Sequence, residues 1–100
     1  MVDFMLNTII DAISQRKTLA LTYKLINREV EPHAVGKSSK GELLLRCYQT
    51  CGGHVEPGHE WDLLKVSKIT TLKLTGNEFA GPRPGYQRGD KALAVILAQL

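Results

Sequence analysis

From Gly41 to Tyr48 the chain reads Gly-Glu-Leu-Leu-Leu-Arg-Cys-Tyr, and this run restricts the fold more than any other. In an extended chain Leu43, Leu45 and Cys47 point one way, while Leu44, Arg46 and Tyr48 point the other. Both sides carry apolar bulk, so both need cover. The segment reads as an inner strand with a barrel interior beneath it and another element above. A glycine-containing excursion comes next, and a second run begins at Trp61, whose indole N–H needs a partner if it is buried.

The flanking sequence supplies more strands. Thr18 to Leu25 alternates, with Leu19, Leu21, Tyr23 and Leu25 on one face and Thr18, Ala20, Thr22 and Lys24 on the other. Asn27-Arg28 reads as a short turn, and Glu29 to Gly36 as a second strand. Pro32 interrupts it and marks an edge, a bulge or a corner, because proline cannot donate to a ladder. Lys37-Ser38-Ser39-Lys40-Gly41 is a polar hairpin turn. Gln49 to Glu60 reads as a mobile loop, followed by strands Trp61 to Val66 and Ile69 to Leu74.

Two helices are expected at the ends. Asp3 can cap a helix over residues 4–15, with an apolar stripe of Phe4, Met5, Leu6, Ile9, Ile10, Ala12 and Ile13. Arg16 and Lys17 then complement the dipole at its C-terminal end. Residues 79–89 hold Gly81-Pro82-Arg83-Pro84-Gly85, an extended strap, since residues before proline avoid the helical region. Asp90 can cap a last helix, Lys91 to Leu100, lying in a groove or forming an oligomer contact through Val95 and Leu97. The fold class is mainly β, or α+β by content. It is a single domain, 1–100, with a small five-stranded SH3/Sm-like barrel over 18–75 and a helix at each end.

Composition narrows the function classes. With 43% apolar and 23% charged residues the chain is globular, and no apolar run approaches the roughly 18 residues of a membrane span. The start, Met1-Val2-Asp3, has no basic region of the kind that opens a secretion signal, so a cytoplasmic location and no membrane partner are expected. Cys47 and Cys51 then read as reduced thiols. Residues 1–64 carry seven Lys/Arg against eight Asp/Glu, while 65–100 carry six against two. This asymmetry favours an anionic partner.

These segments resemble a WYL domain, a bacterial and phage-associated module with an Sm-like SH3 barrel. The resemblance covers about residues 8–75. It rests on Ile9 to Arg16, Leu21-Thr22-Tyr23, Arg28-Glu29-Val30-Glu31-Pro32-His33, Leu45-Arg46-Cys47-Tyr48, and the run from Trp61 to Ile69. The tripeptide that names the family falls on Leu43-Leu44-Leu45, so only its leucine is kept. Where the family carries arginines in the fourth strand, this chain has Lys65 and Lys68, which keep the charge but lose the bidentate fork. The resemblance implies a regulatory module for transcription, sensing a nucleic acid or nucleotide and signalling to a partner protein.

The expected binding surface is Arg28, Arg46, Lys65 and Lys68 with Tyr48 as a stacking platform, suited to single-stranded nucleic acid. Arg83, Tyr86 and Arg88 form a secondary basic strip. The alternative for the main surface is structural, with Arg46 paired to Glu42 or Asp62 and Tyr48 packed under the last helix. A rival from another class is an interaction protein, homodimeric through the C-terminal helix and without a small ligand. Cys47, Cys51, His54 and His59 have zinc-compatible ligand types, but their spacing is not one of the strong patterns and Cys47 faces the core, so no metal or cofactor is expected. His33 reads as a turn histidine. Glu60 and Asp62 straddle Trp61 without a nucleophile or phosphate loop, which argues against an enzyme.

Overall fold

The computed structural model describes residues 2–52 and 60–100, with side chains from Phe4 to Thr50 and from Glu60 onward. A helix α1 (Val2–Gln15) precedes strands β1 (Lys17–Tyr23), β2 (Ile26–Lys37), β3 (Leu43–Gly52) and β4 (Trp61–Lys65). A single 3-10 turn (Val66–Lys68) leads into β5 (Ile69–Glu78), and β6 (Val95–Gln99) ends the chain. All pairings are antiparallel, in the order β4-β3-β2-β1-β5, with β6 also on β2.

The alternation in β3 holds. Leu43, Leu45 and Cys47 join the main core with Leu19, Leu21, Tyr23, Val30, Val35, Leu64, Val66 and Ile69. On the opposite side Leu44 packs with Ala34, Leu93, Tyr86 and Ile96. Helix α1 presses Ile9, Ala12 and Ile13 into the main core, while Phe4 is left exposed. Asp3 lies within the helix and is not its cap. Arg16 leaves the helix at φ 55°, and its guanidinium donates to the Ala80 carbonyl at 3.2 Å.

The turn between β1 and β2 falls at Lys24-Leu25, not at Asn27-Arg28. Both residues have positive φ (52° and 65°), the two-residue form whose twist matches the flanking strands. Leu25 therefore sits at an exposed tip and not in the core. The polar turn after β2 forms as expected. The Ser38 hydroxyl accepts the Lys40 and Glu42 N–H groups, and Gly41 takes φ 83°.

Two further expectations are corrected. The sheet does not close into a barrel, for β4 and β5 are the two ends of its path and share no ladder among the described residues. The helix supplies burial that closure would otherwise provide, and the Tyr23 hydroxyl accepts the Lys65 N–H on the open edge of β4. The second correction concerns residues 90–100, which form a strand and not a helix. Asp90 does cap a turn: its carboxylate accepts the Ala92 N–H and its carbonyl accepts the Leu93 N–H. Beyond that turn β6 finds a ladder on β2, and an all-apolar run carries no period that separates strand from helix.

Pro32 is where β2 changes partner. Residues Ile26 to Val30 pair with β1, and residues Ala34 to Lys37 pair with β6. Against β3 the register slips between Pro32 and Ala34, inserting His33 as an extra residue. Such a bulge re-aims side chains, and here it leaves His33 and Ala34 towards the outer side while Val35 returns to the core. Gly36 is the other requirement, since a Cβ there would lie 2.1 Å from the Val95 carbonyl oxygen. Gly36→Ala should therefore undock β6 and lower stability by about 1–3 kcal/mol, as expected for overpacking. Urea unfolding of the two proteins checks it, and an unchanged midpoint would contradict this account of β6.

Candidate functional site

Cross-strand pairing sorts the side chains of β3 and β4. Leu44, Arg46 and Tyr48 stand opposite Lys65, Leu63 and Trp61, so all six share the outer face. Leu45 and Cys47 stand opposite Leu64 and Asp62 on the inner face. Arg28 stands opposite Leu21, a core residue, and belongs to the inner side as well.

The expected basic surface is therefore divided. Arg28 is nine-tenths buried and bonded inward, to Asp62 at 3.6 Å, the Gln49 side chain at 3.4 Å and the Tyr23 carbonyl at 3.5 Å. Its Nε is buried with no partner among the described residues. Asp62 sits above its ordinary carboxyl range because burial disfavours its charge, an effect that Arg28 opposes. Arg46 and Lys65 share the outer face, but each has a carboxylate: Arg46 bonds Asp90 at 2.7 Å, and Lys65 lies 3.3 Å from Glu42. Lys68 is exposed on the 3-10 turn and has no ion pair among the described residues. Tyr48 does not lie open, because Trp61 meets it edge-on at 5.3 Å and the Arg83 guanidinium covers its ring at 4.6 Å.

Over this face runs the strap that joins β5 to β6. Arg83-Pro84-Gly85-Tyr86 forms a turn, with the Tyr86 N–H on the Arg83 carbonyl and Gly85 at φ 92°. The Trp61 indole donates to the Pro84 carbonyl at 3.2 Å, which supplies the partner its N–H requires. Arg83 grips Glu31 with two bonds, at 2.7 and 2.9 Å. Its backbone N–H donates to His33 Nε2 at 3.1 Å, and His33 Nδ1 lies 2.8 Å from the Glu31 carbonyl. Both ring nitrogens are thus satisfied by a neutral imidazole protonated on Nδ1. Burial lowers the His33 pKa below its usual value, although Glu31 pulls the other way.

His33 is the hub of an aromatic cluster, 4.7 Å from Trp61, 5.1 Å from Tyr86 and 5.8 Å from Phe79. Trp61 and Tyr86 face each other within 18° of parallel at 6.3 Å. Beside them opens a cleft of about 210 Å³, lined by Arg46, Trp61, Gly85, Tyr86, Gln87, Asp90 and Lys91. Lys91 is exposed and has no ion pair among the described residues. The cleft combines aromatic walls, a carboxylate-guanidinium pair and a free ammonium.

Of the secondary strip, Arg83 and Tyr86 hold the strap down, and Arg88 donates to the Leu100 carbonyl at 3.0 Å. The four-residue metal set cannot be assembled, since His54, His59 and the Cys51 side chain lie outside the described residues. Burial pushes the Cys47 thiol far up, as the core reading requires. Among the described residues no group of three His, Cys, Asp or Glu could hold a metal, and no helix is long and apolar enough to cross a membrane.

Sequence reasoning missed Asp90 as the partner of Arg46, Glu31 as the partner of Arg83, and Lys91. Each pair spans more than forty residues, and no local pattern marks it. The indole N–H of Trp61 was the one usable signal, because it needs a partner if it is buried.

No family model matches the sequence, and no curated protein matches it. Among solved structures the fold is similar to part of proteasome accessory factor B/C of Arthrobacter aurescens, with a TM-score of 0.65 and 17% identity. The match covers 84% of this chain and 13% of that one, so the chain spans a small part of that protein's length. At this identity the likeness establishes the fold.

The Asp90 carboxyl lies below its ordinary range, chiefly through its bonds from Arg46, which burial opposes and the Ala92 N–H reinforces. A lowered carboxyl pKa contributes stability above its unfolded value, lost as pH falls through the folded one. Asp90→Asn should cost about 1–3 kcal/mol at pH 7 and flatten the pH dependence of Tm below about pH 4. Glu42→Ala, at a half-exposed pair, should cost less than about 1 kcal/mol. Thermal melts of both variants between pH 2.5 and 7 check this contrast.

Proposed function

We propose that this chain is a WYL-like regulatory module that senses a small anionic ligand with one planar ring, of the nucleotide class. The observation that carries the reading is the convergence of Trp61, Tyr86, Arg46, Asp90 and Lys91, from β3, β4 and the strap, on one cleft. A ring can lie against the aromatic walls, its polar edge meets both a donor and an acceptor in the Arg46–Asp90 pair, and Lys91 can take a phosphate.

Size and charge favour a mononucleotide, or a strand's end, over a tracked single strand. The cleft is smaller than the roughly 300–1,000 Å³ of sites that engulf a drug-sized ligand, so it would hold one ring and leave the rest in water. A strand needs several free cations in line, whereas Arg46 and Lys65 are committed to carboxylates and Arg28 lies on the other face. The proposed role is binding without catalysis, in the cytoplasm, with the signal passed to a partner protein through the strap.

Trp61 is the single tryptophan, which makes the test direct. Titration with AMP, GMP and UMP should change its fluorescence and saturate. The log of affinity should fall with log salt at a slope of about 1, as for one phosphate. Lys91→Glu should weaken binding at least fivefold without changing Tm. A slope of several units, with oligonucleotides binding far more tightly, would favour the extended strand instead. No response to any nucleotide or oligonucleotide at low salt would reject the reading.

A further inference from the structure

Polar contacts hold the strap to its surroundings from Ala80 to Asp90, and His33 lies at the centre of those made by Arg83 and Tyr86. Its Nε2 accepts the Arg83 N–H, its Nδ1–H donates to the Glu31 carbonyl, and its carbonyl oxygen accepts both the Leu100 N–H and the Tyr86 hydroxyl. Ring contacts of Tyr86 with His33 and Trp61 back these bonds, and full apolar burial is confined to the strap's ends. In the strap itself only Phe79 and Leu93 are buried apolar side chains, at its two ends, and the residues between are half-buried or exposed.

A proton on His33 Nε2 would turn the acceptor of the Arg83 N–H into a donor facing that N–H. The groups around the ring do little to offset the new charge. Glu31 on β2 would welcome it, but its carboxylate is already engaged by the Arg83 guanidinium. From the strap Arg83 opposes it, and Tyr86 presents a ring. From β4 comes the uncharged ring of Trp61, while Arg46 and Asp90 neutralise each other beside it. Arg88 is turned to the Leu100 carbonyl. A buried cation with two donors facing each other is costly, whereas an open strap lets the imidazolium meet water.

We propose that the strap is a proton-released latch: protonation of His33 removes the acceptor for the Arg83 N–H, frees the chain between Phe79 and Asp90, and disassembles the cleft. This regulation of the cleft rests on the ligand reading above, but strap release itself can be read without any ligand. Linkage gives the sign. Histidine with a closed-state pKa below its usual 6.5 stabilises the closed form above that pH. As pH falls from 6.5 to the closed-state value, the opening equilibrium rises up to tenfold per pH unit, the limit for one proton.

The test is amide hydrogen exchange by NMR on the full chain, without ligand, between pH 8 and 5 and corrected for intrinsic exchange. The Arg83 and Tyr86 amides should lose protection as pH falls below 6.5, by up to tenfold per pH unit, while amides paired between β2 and β3 keep theirs. His33→Gln, whose amide supplies an acceptor and a donor but does not titrate, should show a flat profile. Protection of Arg83 that does not change with pH, or that is lost together with the β2–β3 amides, would overturn the latch. If His33→Gln does not fold, the comparison of strap with ladder amides in the unaltered protein still decides. AMP titration at pH 8 separates the two ideas: a latch that opens in a protein that never binds AMP leaves the latch standing and removes the ligand.

Discussion

The rest of the structure depends on one irregularity, the slip of β2 against β3 between Pro32 and Ala34. Proline has no N–H to give, so a ladder running through it must lose a bond. Here the loss coincides with the change of partner from β1 to β6 and with the insertion of His33. The same slip sends Val35 to the core and Ala34 to the outer cluster. His33 keeps the outward facing of Glu31, and the slip adds Ala34 beside it on the same side.

A sheet with apolar residues on both faces must be covered twice. On the inner side α1 supplies Ile9, Ala12 and Ile13, and the open edge between β4 and β5 is bridged by the Tyr23 hydroxyl. On the outer side there is no helix among the described residues. A strap of prolines and glycines does the covering, and such a segment buries little apolar area for its length. It is held instead by ion pairs and aromatic contacts: Arg83 on Glu31, Arg46 on Asp90, Tyr86 and Trp61 around His33. Of the cations that sequence reasoning assigned to a ligand, Arg46 and Arg83 hold this second layer, whereas Arg28 is bonded inward and Lys65 pairs with Glu42. Glu31 is buried whereas Glu42 is half-exposed, so the Arg83–Glu31 pair is screened less by salt than the Lys65–Glu42 pair.

Much of the fold was legible in the residues. The alternation of β1 and β3, the stripe of α1, the polar turn at Ser38 and the meaning of Pro32 all come from local periodicity and backbone chemistry. The turn at Lys24-Leu25 was not legible, because positive φ usually announces itself with glycine or asparagine and neither is present. Nor was β6. Ala92 to Ala98 is apolar throughout, and whether such a run becomes helix or strand depends on whether a partner edge is free. Gly36, far away in sequence, opens that edge.

By itself the sequence determined which side chains share a face, since the two-residue period is a property of one strand, and it showed that a buried Trp61 would need an acceptor. Tertiary structure alone decided which acid meets which base. The partners of Arg46 and Arg83 lie 44 and 52 positions away along the chain, and nothing local records a distance that only folding closes. Pairing across the sheet separated Arg28 from Arg46, and the strap then brought Tyr86, Asp90 and Lys91 over Trp61 to make a cleft where sequence suggested an open wall.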